Sequence, residues 1–120
     1  MVFTQKSGHQ AEERASNYLQ GHGLKLVGRN YHCFAGEIDL IMRDKEYFVF
    51  IEVRSRVNVS YGGGIDTITY GKRQKIIKTA THYLMRNQIY EKYPVRFDVI
   101  GIDGKSGELS WIKDAFGTNY

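Results

Sequence analysis

Residues 36–56 read GEIDLIMRDKEYFVFIEVRSR, and the fold turns on how this stretch is divided. Two apolar runs, 37–43 and 47–55, flank Asp44, Lys45 and Glu46. That pattern predicts two strands joined by a short hairpin turn. With Lys45 and Glu46 at the tip, Asp39 falls opposite Glu52, their Cβ atoms roughly 4.5–5.5 Å apart. A three-residue turn would shift the register by one and require a bulge to return both groups to one face. Arg54, two residues beyond Glu52, shares that face, while Ile51 and Val53 point the other way, into the core.

Two carboxylates at about 5 Å repel by roughly 3 kcal/mol at an effective dielectric near 20, a sizeable part of a small domain's stability. A shared proton, a basic side chain between them or a divalent cation would each offset this. Mg²⁺ takes one or two carboxylates together with waters and phosphate oxygens. The plainer arrangement pairs Asp39 with Arg54 or Arg96 and leaves Glu52 as an exposed strand residue.

Working outward, residues 5–21 are predicted as a helix, since Ala11, Ala15, Tyr18 and Leu19 recur at helical spacing and Gly21 and Gly23 supply a stop. The same spacing turns Glu13 into water and puts Glu12 on the edge of the apolar stripe. Residues 24–33 alternate loosely and read as a strand. Residues 57–70, with Gly62–Gly64, read as an adaptable loop. A second helix is expected over about 71–90, its buried stripe formed by Ile76, Ile77, Ala80, Tyr83 and Leu84, with Pro94 marking the break after it. Strands at 95–102 and 108–113 complete the order helix, three strands, helix, two strands. This predicts an α/β fold, a mixed sheet of about five strands flanked by helices.

The 120 residues suffice for one compact domain, 1–120, and 42% hydrophobic with 25% charged residues excludes global disorder. A net charge of +4 permits a polyanionic partner without requiring one. The single Cys33 excludes an internal disulfide and a multi-cysteine zinc site. No apolar run is long enough to span a membrane, and MVFTQKSGHQAEER lacks the apolar core of a signal peptide. A cytoplasmic protein with no membrane partner is therefore expected, for which the sequon at 58–60 has no consequence. His9, His22, His32 and His82 show no ligand spacing. Asp98 is expected to pair with Arg96 or another base, Trp111 to pack rather than stack on a base, and Cys33 to be a small core residue.

The ordered set of motifs GHQAEERASNYL, RNYHCFAGEIDLI, VFIEVRSR, YGKRQKIIKTATHYL and RFDVIGI resembles the YraN-type family of small bacterial proteins, over nearly the whole chain. GEIDLI, followed thirteen residues after its Asp by EVR, also resembles the PD-(D/E)XK nuclease motif. The resemblance implies a restriction-endonuclease-like core akin to archaeal Holliday-junction resolvases, and a metal-dependent endonuclease acting on DNA, with branched or recombination intermediates as candidate substrates. It implies Asp39 and Glu52 as ligands of Mg²⁺ or Mn²⁺, and Glu12 as the helix carboxylate that completes such a site. Arg54 stands where the nuclease motif usually has Lys. Arginine keeps its proton near neutral pH and cannot be a base, but it can steer a phosphate or stabilise developing negative charge. Lys72, in the first turn of the second helix, is the residue expected to compensate, in a turn whose free N–H groups would favour a phosphate.

Arg54, Arg56, Lys72, Arg73 and Lys75 are the expected phosphate contacts, with the Gly62–Gly64 loop, Tyr61 and Tyr70 following the nucleic-acid backbone. Resolvase-like folds acting on symmetric junctions often pair, so a homodimer is also expected. Two other functions fit the same residues: a nucleic-acid-binding module that keeps the fold without the chemistry, and a protein that engages an acidic protein partner.

Overall fold

The computed structural model describes residues 2–56 and 68–117, with side chains described from His9 to Ser55 and from Ile68 to Gly117. The chain runs α1 (Val2–Gly21), β1 (Lys25–Cys33), β2 (Gly36–Asp44), β3 (Tyr47–Arg56), α2 (Tyr70–Arg86), β4 (Val95–Asp103) and β5 (Leu109–Phe116). The five strands form one sheet in the order β1-β2-β3-β4-β5. β3 and β4 are parallel and all other neighbours antiparallel. A parallel pair cannot be closed by a tight turn, and α2 lies in the crossover between them. This is the mixed α/β sheet that the sequence predicts.

The two helices cover opposite faces. Ala15 and Leu19 of α1 pack on Leu40, Met42, Val49, Ile51, Ile100 and Ile102. Ile76, Ile77, Ala80 and Leu84 of α2 pack on Ile38, Ile41, Phe50, Phe97 and Val99. β2 and β3 are buried on both sides, which is why they read as continuous apolar runs rather than alternating ones. Full burial of each such side chain contributes about 1.5–3 kcal/mol.

The hairpin closes as expected, with Lys45 and Glu46 as a two-residue turn and pairs running from Asp44↔Tyr47 to Leu40↔Ile51. Lys45 supplies a positive φ of 56°. The second helix is shorter than the 71–90 predicted. It ends at Arg86 with Asn87 as its cap, whose N–H donates to the carbonyls of Tyr83 and Met85. Gln88 and Glu91 take positive φ values of 61° and 63°, so the break comes from these turn conformations well ahead of Pro94.

One irregularity runs across β1 and β2. In a regular strand residues i and i+2 share a face. Here Arg29 reaches Glu13 of α1, its Nη1 2.8 Å from Oε1, while Tyr31 reaches His82 of α2, with 2.6 Å between Oη and Nδ1. The intervening Asn30 stands in the left-handed region at φ 51°. β2 changes face at the matching point, since Ile38 lies in the α2 cluster and Leu40 in the α1 cluster. The residue between those two is Asp39.

Candidate functional site

Asp39 occupies this switch point, and the β2–β3 pairing ends one residue short of it, at Leu40↔Ile51. The expected direct opposition of Asp39 and Glu52 across the ladder is thus replaced by a side-chain substitution. The Val53 N–H donates to Asp39 Oδ2 at 2.8 Å, so the carboxylate serves as the acceptor where the strands part. The two acids still open into the same cavity of about 430 Å³, lined also by Phe34, Glu37, Lys72 and Lys75.

Glu52 is only 7% exposed, which overturns the reading of it as an exposed strand residue. Two cations approach its Oε2: Arg54 Nη1 at 3.6 Å and Lys72 Nζ at 3.7 Å. Both separations exceed hydrogen-bond length, so these groups offset the charge through space. Arg96 is unavailable to Asp39. Its Nε and Nη2 each lie 3.0 Å from an Asp98 oxygen, and its Nη1 lies 3.0 Å from Asp44. Asp98, 1% exposed, also accepts from Trp111 Nε1 and from the Asp114 N–H. The predicted structural roles of Asp98 and Trp111 follow directly from these bonds.

Burial pushes the Asp39 carboxyl from the ordinary 3.8 up to about 7, and the Glu52 charge adds to the effect. The Val53 N–H works in the opposite direction, while Glu12 and Glu37 raise it further. Asp39 is therefore harder to ionise than an ordinary carboxyl, since burial and its acidic neighbours outweigh the Val53 N–H.

Glu12 is the α1 carboxylate that acts on Asp39, as the helical spacing predicts, while Glu13 is tied to Arg29. With the Asn30 amide oriented to donate, its nitrogen lies 3.1 Å from Glu12 Oε1 and 3.3 Å from Oε2. Among the described residues no three His, Cys, Asp or Glu side chains gather closely enough to hold a metal ion together. The set that converges is therefore the pair Asp39 and Glu52, with Glu12 acting from further away. That donor set fits Mg²⁺ or Mn²⁺, which need only one or two carboxylates when water and a phosphate complete the shell. The raised pKa of Asp39 fits as well, since a cation would replace the proton as its counter-charge.

Of the predicted phosphate contacts, Lys72 and Lys75 line the cavity and Arg54 stands beside Glu52. Arg73 turns elsewhere: its Nε donates to the Ile68 carbonyl at 3.1 Å and its guanidinium lies 6.0 Å from the Phe116 ring centre. The side chain of Arg56, Tyr61 and Gly62–Gly64 lie outside the described residues. Tyr70 is exposed at the start of α2. The Lys72 N–H in that turn is not free for a phosphate, because it donates to Thr69 Oγ1 at 3.1 Å. Cys33, expected in the core, is only partly buried and lines the cavity, its Sγ accepting from the Ala35 N–H at 3.4 Å.

Sequence reasoning missed Glu37, Phe34 and Asn30. Glu37 had a usable signal, since it lies two residues before Asp39 in a predicted strand. Asn30 had none beyond the loose alternation of its strand.

A family model described as "Uncharacterised protein family UPF0102" matches residues 11–102. A UPF0102 protein of Legionella pneumophila (strain Corby) is 58% identical over 114 residues, covering 95% of this chain and 97% of the relative. One from Nitrosococcus oceani is 50% identical over 111 residues, covering 91% and 90%, and one from Pseudomonas fluorescens (strain Pf0-1) is 43% identical over 111 residues, covering 92% of each. The matched span takes in the switch at Asn30 and Asp39, the Glu52 strand and all of α2, and on these matches the chain belongs to the UPF0102 family.

Proposed function

We propose that this protein is a metal-dependent endonuclease that hydrolyses phosphodiester bonds in DNA at the Asp39–Glu52 cavity. One observation carries the reading: two acids from adjacent strands open into a cavity whose other charged lining includes Lys72 and Lys75. Acids that would hold a divalent cation then face amines that would hold a phosphate.

Asp39, through the oxygen not committed to Val53, and Glu52 would hold Mg²⁺ or Mn²⁺. When bound, the ion supplies Lewis acidity and lowers the pKa of a water for attack on phosphorus. Lys72 and Lys75 bind the scissile phosphate and orient it. Arg54 stabilises the extra negative charge of the transition state from its position beside Glu52. Burial, with the Glu52 charge and then that of Glu12 adding to it, disfavours ionisation of Asp39 until a counter-charge arrives.

A second reading, nucleic-acid binding without cleavage, is favoured by Arg54, a permanently charged group where the nuclease motif has Lys. Incubation with Mn²⁺ or Mg²⁺ and single-stranded, duplex and four-way DNA separates the two. Metal-dependent product that falls at least about 100-fold in Asp39→Asn is the expected result, given the size of typical single-group catalytic losses. Product undiminished in that variant sinks the nuclease reading. Salt-sensitive binding without product supports the second reading. Absence of any nucleic-acid binding leaves an acidic protein partner.

A further inference from the structure

Phe34, between β1 and β2, is 93% exposed, more than any other large apolar side chain among the described residues. Aromatic rings of this kind bury roughly 150–250 Å² when they find a partner, and Phe34 leaves nearly all of its surface in water.

The turn beneath it is anchored. Tyr31 and His82 hold its β1 side against α2, and the Ala35 N–H donates to Cys33 Sγ. Gly36, at φ 152°, lies so close to α2 that an added Cβ would stand 3.3 Å from Thr79 Oγ1 and 3.7 Å from Lys75 Cβ. The ring's only described aromatic contact is an edge-on approach to His82, with centroids 5.9 Å apart at 80°. With 93% of its surface exposed, the ring stays open to a partner while its base is fixed. Phe34 also lines the same cavity as Asp39, Glu52, Lys72 and Lys75.

A fixed aromatic face beside paired amines matches the way single strands are gripped, with cations along the backbone and rings under the bases. A base inside a continuous duplex has both faces covered by its neighbours, so it cannot use such a platform without being unstacked. We propose that Phe34 is a base-stacking residue of this site. It receives an unpaired nucleobase next to the phosphate at the Asp39–Glu52 cavity, so the site takes single-stranded or locally unpaired DNA in preference to continuous duplex. The inference rests on the nucleic-acid reading above and adds to it the class of substrate.

The test is anisotropy titration of the full chain with a labelled single strand and with the duplex of the same sequence, in Ca²⁺ in place of Mg²⁺. Phe34→Ala is expected to lower the preference for single strand over duplex by about 5- to 150-fold, the range for loss of one stacked base. Phe34→Trp is expected to retain the preference and to show indole quenching when the single strand is added. A preference in Phe34→Ala within about twofold of native, with affinity still lost in Lys72→Ala/Lys75→Ala, overturns stacking and leaves nucleic-acid binding standing. No binding by the native chain to either probe overturns both. Dissociation of a dimer by Phe34→Ala with the preference unchanged assigns the ring to a contact between copies, which also overturns stacking.

Discussion

Asp39 feels burial and the charges of Glu52, Glu12 and Glu37 pushing its pKa up, against one backbone N–H drawing it down. Arg54 Nη1 and Lys72 Nζ lie 3.6 Å and 3.7 Å from Glu52 Oε2. The net result, from 3.8 to about 7, has a definite consequence for stability. Between those values the unfolded chain has released the proton while the folded chain retains it. Stability from this group is thus complete below the unfolded pKa and is lost as pH rises through the folded one. In chelator, urea denaturation of the native protein should lose up to about 1.4 kcal/mol per pH unit from this group between pH 5 and 7, levelling above that. Asp39→Asn, which keeps an acceptor for the Val53 N–H but cannot ionise, should remove this component. The two proteins should therefore diverge by on the order of 2 kcal/mol between pH 5 and 8. Parallel pH curves would show that Asp39 titrates normally. The Asp98 cluster is the contrast at this scale: an acid more deeply buried than Asp39, at 1% exposed, but with a guanidinium and two N–H donors around it.

Among the elements, β1 carries the least obvious device. Its turn-over at Asn30 sends Arg29 to α1 and Tyr31 to α2, so a single edge strand holds both helices. A β-branched residue in the left-handed region costs roughly 1–2 kcal/mol, whereas glycine adopts it freely and Asn tolerates it. Asn30→Val should therefore destabilise by about that amount, and Asn30→Gly by less, measured by chemical denaturation at fixed pH. Equal tolerance of Val and Gly would mean that the backbone relaxes out of the switch and that Asp39 is not held by it. The hairpin turn was legible because two charged residues between two apolar runs leave few registers. The switch was not, because Asn30 sits in a stretch whose polar and apolar residues fit an ordinary strand equally well.

For the molecule as a whole, the sheet brings acids from β2 and β3 together with amines of α2, and ligand binding there should be felt globally. A cation that binds only the folded state raises stability by about 2.7 kcal/mol at one hundred times its Kd. Mn²⁺ titration should therefore raise the native Tm progressively, while Asp39→Asn and Glu52→Gln show little change. A rise of the same size in all three would locate the ion elsewhere. No helix among the described residues is long and apolar enough to cross a membrane, in agreement with the sequence.

The order of helices and strands, the two-residue hairpin and the apolar stripes of both helices were determined by the sequence itself. They depend on residues a few positions apart, through side-chain periodicity and turn geometry. The tertiary structure decided what each charged group faces. Arg73 and Lys72 are adjacent in sequence, yet one turns to Phe116 and the other to Glu52. It also decided that Asp39 caps Val53 instead of continuing a ladder, and that Phe34 stands in water beside the acids. Those outcomes depend on how elements distant in the chain cross one another, and local pattern carries almost no information about that crossing.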